Sequence, residues 1–446
     1  MKLNIILLIL PIVASSQVNI PSAPPANQVQ RYDNQNFNSP ITEVSNLNIT
    51  FDIDKQRQER QVQSLMNEVD QHQKLQEKTM SEAKSDIEKV RSTIQYNLPS
   101  FSNVSGTEYY RNVFDKMLTL DEENYSIKDV NFEIENAYLE NKFDKDEFDK
   151  IIKQSGEFLI AKMKELNYDT NSNTAKNFML FQYFSETLKL KGTNLKHEPL
   201  KYDFEDYRGA KNWSKMFVTK LLKTGKGQCH SMPLLYLTIA EEIGAEAFLA
   251  VSPEHSYIKF QDETNDKWYN LELTNGMFTT TSFILNSGYI KAEAMQNQIY
   301  MKNHTKKELL SMFYSDLASG YIHKFGYDEF VQKVISKSLD LYPKNISAQM
   351  IKSNYDTAVF EYAMKKLDIN PRNKQDLQRI RQYPEAILLL KEVKNQYQSI
   401  DDLGYEPMPA DAYEKWLGSL KEAKNKQDDE TFKKQFKGVI INKIKG

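Results

Sequence analysis

A single cysteine, Cys229, is all that a chain of 446 residues contains, and that scarcity removes several architectures at once. No disulfide can close within the chain, and no cysteine cluster can hold zinc. An HExxH run is missing as well, so no metal is expected. Charge of one sign is also missing: 58 Lys and Arg stand against 61 Asp and Glu, a net of -3, with no dense basic run. Nucleic acid is therefore not an expected partner. The stretch "TGKGQ" (224–228) lacks the leading Gly and closing Ser/Thr of a phosphate loop, and "FDKDEFDK" (143–150) lacks the ordered spacing of a calcium loop. No cofactor is expected either. Long apolar runs are scarce: the run from Leu3 to Val13 is well short of the ~20 residues that span a bilayer. Preceded by Lys2 and followed by Ala14, Ser15 and Ser16, it reads as a secretory signal peptide over residues 1–16. The mature chain is then expected to be exported, periplasmic or extracellular, with no transmembrane segment and, lacking a Cys near the cut, no lipid anchor.

What is present divides into recognisable stretches. Residues 17–53, rich in Pro, Asn, Gln and Ser, read as a disordered linker, and 54–97 as one long helix or coiled coil. Met80, Ala83, Ile87, Val90 and Ile94 give that helix a single apolar stripe. Residues 98–299 read as one domain with a helical first half, whose abundant Tyr and Phe are assigned to a core. The text then turns strand-like in "AFLAV", "HSYIKF" and "KWYNLEL". Residues 300–446 return to helix, with a hairpin around Gly326, repeat-like in length, and a loop at "GYEPMPADAY" (404–413). The fold class expected is α+β, a small antiparallel sheet packed on a helix and flanked by helical regions.

Cys229 follows Gly225 and Gly227 and precedes an apolar helix with Met232, Tyr236, Ile239, Ala240 and Ile243 on its buried side. A helix start favours a thiolate, the reactive form of the side chain. Such a nucleophile needs a base and a group to orient that base. Of six histidines, His72 in the polar helix and His304 and His323 in the C-terminal helices read as solvated or packed, and His197 as a loop residue. His230 adjoins the thiol, but neighbouring side chains on a helix diverge. His255 opens a strand. If Phe260 pairs with Lys267, His255 falls opposite Glu272 on one face of a hairpin. That predicts a Cys229–His255–Glu272 set, with the backbone amides of Gln228, Cys229 and His230 as oxyanion donors.

The run "GxGxCHSxPxLYxxxAEExGAxAxLAxxPxHSYIKF", followed by "WYNLELTNG", resembles the transglutaminase-like superfamily of papain-type thiol enzymes. It is most similar to a bacterial branch in which tetratricopeptide-like helices follow the core. The resemblance implies a transglutaminase-like core over residues 200–295, with Cys229 as nucleophile, His255 as general base and acid, and Glu272 as the orienting acid. The family more often has Asp at the third place, and an aromatic often follows the His. The implied reaction is attack on a peptide or isopeptide amide through a thioester, completed by water or by an amine. The implied partner is a protein or peptide substrate. The competing expectation is a catalytically retired core that binds a protein partner through its C-terminal helices.

Overall fold

The computed structural model describes Lys74, Lys78, residues 96–286 and residues 289–426. The expected signal peptide, the linker, nearly all of the 54–97 helix and His72 lie outside the described residues. The architecture is α+β: mainly helices, with three small sheets among the described residues. No helix among the described residues is long and apolar enough to cross a membrane.

Between residue 96 and the main sheet lie the α-helices α1 (Thr107–Leu118), α2 (Ile127–Tyr138), α3 (Lys145–Glu165), α4 (Asn173–Ser185), α5 (Val218–Thr224) and α6 (Ser231–Glu242). Their starts follow capping chemistry. Ser126 Oγ accepts the Asp129 amide at α2, and Asp144 accepts the amides of Asp146 and Glu147 at α3. The N-terminus of α5 is capped from afar. Glu135 on α2 is buried and accepts the amides of Val218 at 2.6 Å and Thr219 at 2.8 Å, and Asn131 Nδ2 at 3.0 Å.

The centre of the fold is α6, in contact with α2, α3, α4 and α5 on its helical side and with the sheet on the other. The one-sided burial expected from its pattern is widened to all sides: every residue from Ser231 to Ala240 is buried. Gly244 follows it at φ +64, a left-handed residue that ends the helix.

The main sheet is an antiparallel meander of β5 (Phe248–Ser252), β6 (His255–Gln261), β7 (Trp268–Glu272) and β8 (Met277–Thr279). Three of these strands match the sequence reading, and β8 was not anticipated. The register corrects the expectation. Phe260 pairs with Tyr269 rather than with Lys267, a slip of two residues. Leu249, Ile258, Phe260 and Leu271 point to the main core, while Ala250 and Tyr257 enter a second cluster with Tyr300 and Met350. Two short ladders complete the sheets: β1 (Leu188–Lys189) with β2 (Lys196–His197), and β3 (Lys201–Tyr202) parallel to β4 (Lys226–Gly227).

After the sheet come α7 (Thr281–Leu285), α8 (Ala292–Gln296), α9 (Lys306–Phe325), α10 (Glu329–Leu341), α11 (Ile346–Lys366), α12 (Lys374–Leu377), α13 (Pro384–Asp402) and α14 (Ala410–Lys426). A capping box of Thr305 and Glu308 starts α9. The loop expected over 404–413 ends earlier, because α14 begins at Ala410. His304 stands in the loop before α9 rather than in a helix.

By contacts the chain forms two compact units, one of residues 99–355 with 396–426, the other containing 356–395. A single hydrophobic cluster in the first unit runs from Tyr110 through α6 and the sheet to Tyr314, Tyr413 and Leu417. The boundary expected at residue 300 falls inside this unit, where α9 rests on α1 and α2. In the second unit Asp376 accepts the Asn370 amide at 2.5 Å and pairs with Arg379 at 2.7 Å.

The α5 cap gives a direct check on this packing. Glu135→Ala strands two buried amides and the Asn131 amide group, so urea unfolding should show a loss of about 2 kcal/mol or more. A change below about 0.5 kcal/mol would mean that the cap carries no stability.

Candidate active site

Cys229 is held in a tight connection between α5 and α6. Helix α5 stops at Gly225, whose φ of +66 is left-handed, and the chain pairs briefly as β4. At Gly227 a Cβ would stand 2.8 Å from Ser231 Oγ and 3.0 Å from Leu221, so only glycine fits. The Ser231 hydroxyl accepts the Gln228 amide at 3.0 Å, and the Gln228 carbonyl accepts the Met232 amide at 3.0 Å. Helix α6 starts at Ser231 with His230 at its cap, so Cys229 stands one residue ahead of the cap and not in the first turn. Ser256 Oγ donates to the Cys229 carbonyl, tying this turn to β6. The thiol itself is half-buried.

His255 and Glu272 meet as the sequence predicts, though by a different route. His255 Nε2 lies 2.6 Å from Glu272 Oε2, with the two side chains 1% and 3% exposed. Continuing the observed register places Glu272 across from Tyr257, so it reaches His255 on the diagonal. The extra methylene of Glu over Asp supplies reach for that diagonal. Its other oxygen accepts the Thr274 amide at 2.9 Å, which fixes the carboxylate from behind.

Sequence reasoning missed the third wall of the site. Tyr413 and Trp416, on α14, close over the pair from the far end of the chain. Tyr413 Oη lies 3.5 Å from Cys229 Sγ and 3.5 Å from His255 Nδ1, so one hydroxyl touches nucleophile and base together. Trp416 meets the imidazole edge-on at 4.8 Å between centroids. Tyr202 Oη contacts Tyr413 Oη at 3.4 Å, and Tyr207 stacks on its ring at 5.4 Å. The only hint in the sequence is a Tyr and a Trp three apart in "ADAYEKWL", a helix of otherwise polar text.

The electrostatics favour a charged pair. Burial alone would lower the His255 pKa, but the Glu272 carboxylate and the adjacent Cys229 sulfur overcome it and raise it to about 10. At neutral pH the imidazole is a cation, with Nε2 on the carboxylate and Nδ1 on the Tyr413 hydroxyl that also reaches the sulfur.

The remaining histidines are used elsewhere. His197 stacks on Tyr183 at 3.5 Å and bonds its carbonyl. His304 bonds the Leu249 carbonyl, and His323 stacks on Trp213. His230 turns away from the thiol toward Asp316, at 3.4 Å. Of the three expected oxyanion amides, Gln228 is excluded, because its N–H is spent on Ser231. The amides of Cys229 and His230 donate to nothing among the described residues.

From Cys229 and His255 a cleft of about 150 Å³ runs past Glu254 and Asp316 toward Tyr300 and Asn345. No group of three or more His, Cys, Asp and Glu among the described residues is placed to hold a metal. Comparison of the chain with family models, with curated proteins and with solved structures returns no match.

Two outcomes follow. Because the folded His255 pKa lies above its ordinary 6.5, its stabilising effect is complete below about pH 6.5 and fades as pH rises toward 10. Thermal unfolding from pH 7 to 10 should destabilise the native chain more than Glu272→Gln, and equal losses would contradict the pairing. Tyr413→Phe should leave the melting temperature nearly unchanged but slow Cys229 alkylation at pH 7 by about two- to tenfold, the worth of one hydrogen bond. An unchanged rate would make Tyr413 packing alone.

Proposed function

We propose that this chain is an exported thiol hydrolase with a transglutaminase-like core, cleaving peptide or isopeptide amides through Cys229, His255 and Glu272. The observation that carries the reading is the meeting of three elements: a turn before α6, the start of β6 and the end of β7. Together they bring one thiol, one imidazolium and one carboxylate into line. Export rests on the N-terminal sequence alone. The reading of C-terminal helices as a free scaffold is weakened, since α9 and α14 are committed to the core and to walling the site.

In the reaction the Cys229 thiolate attacks the amide carbonyl carbon and forms a C–S bond. The oxyanion so formed faces the free amides of Cys229 and His230, donors that contribute about 3 kcal/mol in other enzymes. His255 Nδ1–H gives its proton to the departing nitrogen as the C–N bond breaks, leaving a thioester. Neutral His255 then takes a proton from water, hydroxide adds to the thioester carbonyl, and the carboxylic acid leaves as the thiolate returns. Glu272 accepts from Nε2–H throughout and steadies the imidazolium. The nitrogens exchange roles relative to the serine-protease arrangement, in which Nε2 faces the nucleophile.

The test is alkylation by iodoacetamide at pH 7, followed by mass spectrometry of Cys229. The native thiol should react at least tenfold faster than N-acetylcysteine, and His255→Ala should remove the excess. Equal rates for the native chain and the free thiol would overturn the enzyme reading.

A further inference from the structure

The cleft beside the thiol carries features that the reaction itself does not use. Glu254 forms the turn between β5 and β6 in a left-handed conformation, φ +56, where glycine would sit without strain. Its carboxyl lines the cleft, and its nearest cation, Arg208, stands at 3.8 Å, beyond hydrogen-bond range. Burial, against the weak pull of Arg208, lifts the Glu254 pKa to about 7. Asp316, from α9, lines the same cleft with His230 at 3.4 Å, and burial lifts its pKa to about 6 against that histidine. Both carboxyls are under-compensated: each is desolvated further than its partner repays.

Independent of the acids, three largely buried residues lining this cleft carry unmatched hydroxyls. Ser252, Ser319 and Tyr300 are 5%, 4% and 3% exposed, and their hydroxyls make no hydrogen bond to the described residues. Buried polar groups ordinarily find partners, so an unmatched set around a cavity points to a ligand that supplies them. The required ligand group donates several hydrogen bonds and carries positive charge. The size is also set. About 150 Å³ is the volume that takes a single benzene ring in an engineered cavity, so it holds one side chain rather than a large molecule. Lys344, the one lysine on the lining, bonds Asn297 Oδ1 at 3.5 Å, and the His255 imidazolium, the other cation there, is already held by Glu272.

We infer that the cleft is a specificity site for one lysine-like cationic side chain of the substrate, its ammonium held between Glu254 and Asp316 and donating to the neighbouring hydroxyls. This rests on the hydrolase reading and adds the substrate class: a peptide bearing a basic residue beside the bond that Cys229 attacks. A guanidinium is the less suitable cation, since its planar fork is best matched by bidentate carboxylate contacts and a wider slot.

The test uses two alkylating reagents that differ only at the side-chain end, the chloromethyl ketones of N-acetyl-lysine and N-acetyl-norleucine. The lysine reagent should label Cys229 about tenfold faster or more, the worth of charge-assisted hydrogen bonds in a partly desolvated site. Glu254→Gln with Asp316→Asn should bring the ratio toward one, and taking the ratio cancels any change in thiol reactivity. A ratio near one in the native chain, with iodoacetamide still labelling Cys229 fast, overturns the inference and leaves the hydrolase reading standing. Should iodoacetamide labelling fail instead, calorimetry on Cys229→Ala decides. Binding of N-acetyl-lysine methylamide but not of its norleucine counterpart supports the site, and equal or absent binding of both overturns it.

Discussion

Everything at this site turns on a buried hydrogen bond of 2.6 Å between the His255 imidazole and the Glu272 carboxylate. Taking an imidazolium and a carboxylate out of water is costly, and a pair of apolar residues of like volume would stabilise a core as well or better. The pair is therefore poorly explained as a stability device. It is well explained as a way to keep a proton on His255 at neutral pH, on the nitrogen that faces Cys229. The structure around it serves that end. The Thr274 amide braces Glu272, β8 pairs the Glu272 backbone with Met277, and Ser256 anchors the turn that carries the thiol.

The pair also depends on the far end of the chain. Helix α14 brings Tyr413 into contact with sulfur and imidazole and sets Trp416 against the ring, so a segment some 180 residues from Cys229 completes the site. This explains why one hydrophobic cluster joins α6, the sheet and the helices beyond residue 300. The cleft then opens on the remaining side, which leaves the thiol half-buried and reachable while its partner is sealed. Access and desolvation are thus divided between two residues that must cooperate.

Much of this was legible in the sequence, for identifiable reasons. The glycines before Cys229, the apolar run of α6 and the alternation in "HSYIKF" and "WYNLEL" each follow local rules and located the thiol, the base and the acid. The register did not follow, because a slip of two residues preserves every inward and outward side chain, so alternation alone cannot choose. The three residues of β8 are too few to show a period. Tyr413 and Trp416 were invisible as site residues because their role is tertiary, and the same is true of Glu254 and Asp316, which come from distant segments to line one cleft. Gln228 failed as an oxyanion donor for a local reason that only the placement of the Ser231 hydroxyl reveals.

The central claim is that Glu272 and Cys229 hold His255 as a cation at neutral pH. Nitrogen-15 NMR of the His255 ring across pH 5 to 11 measures this most directly. The account predicts protons on both Nδ1 and Nε2 at pH 7, lost with a midpoint near 10. A neutral ring at pH 7, with a midpoint at or below the ordinary value of about 6.5, would contradict it.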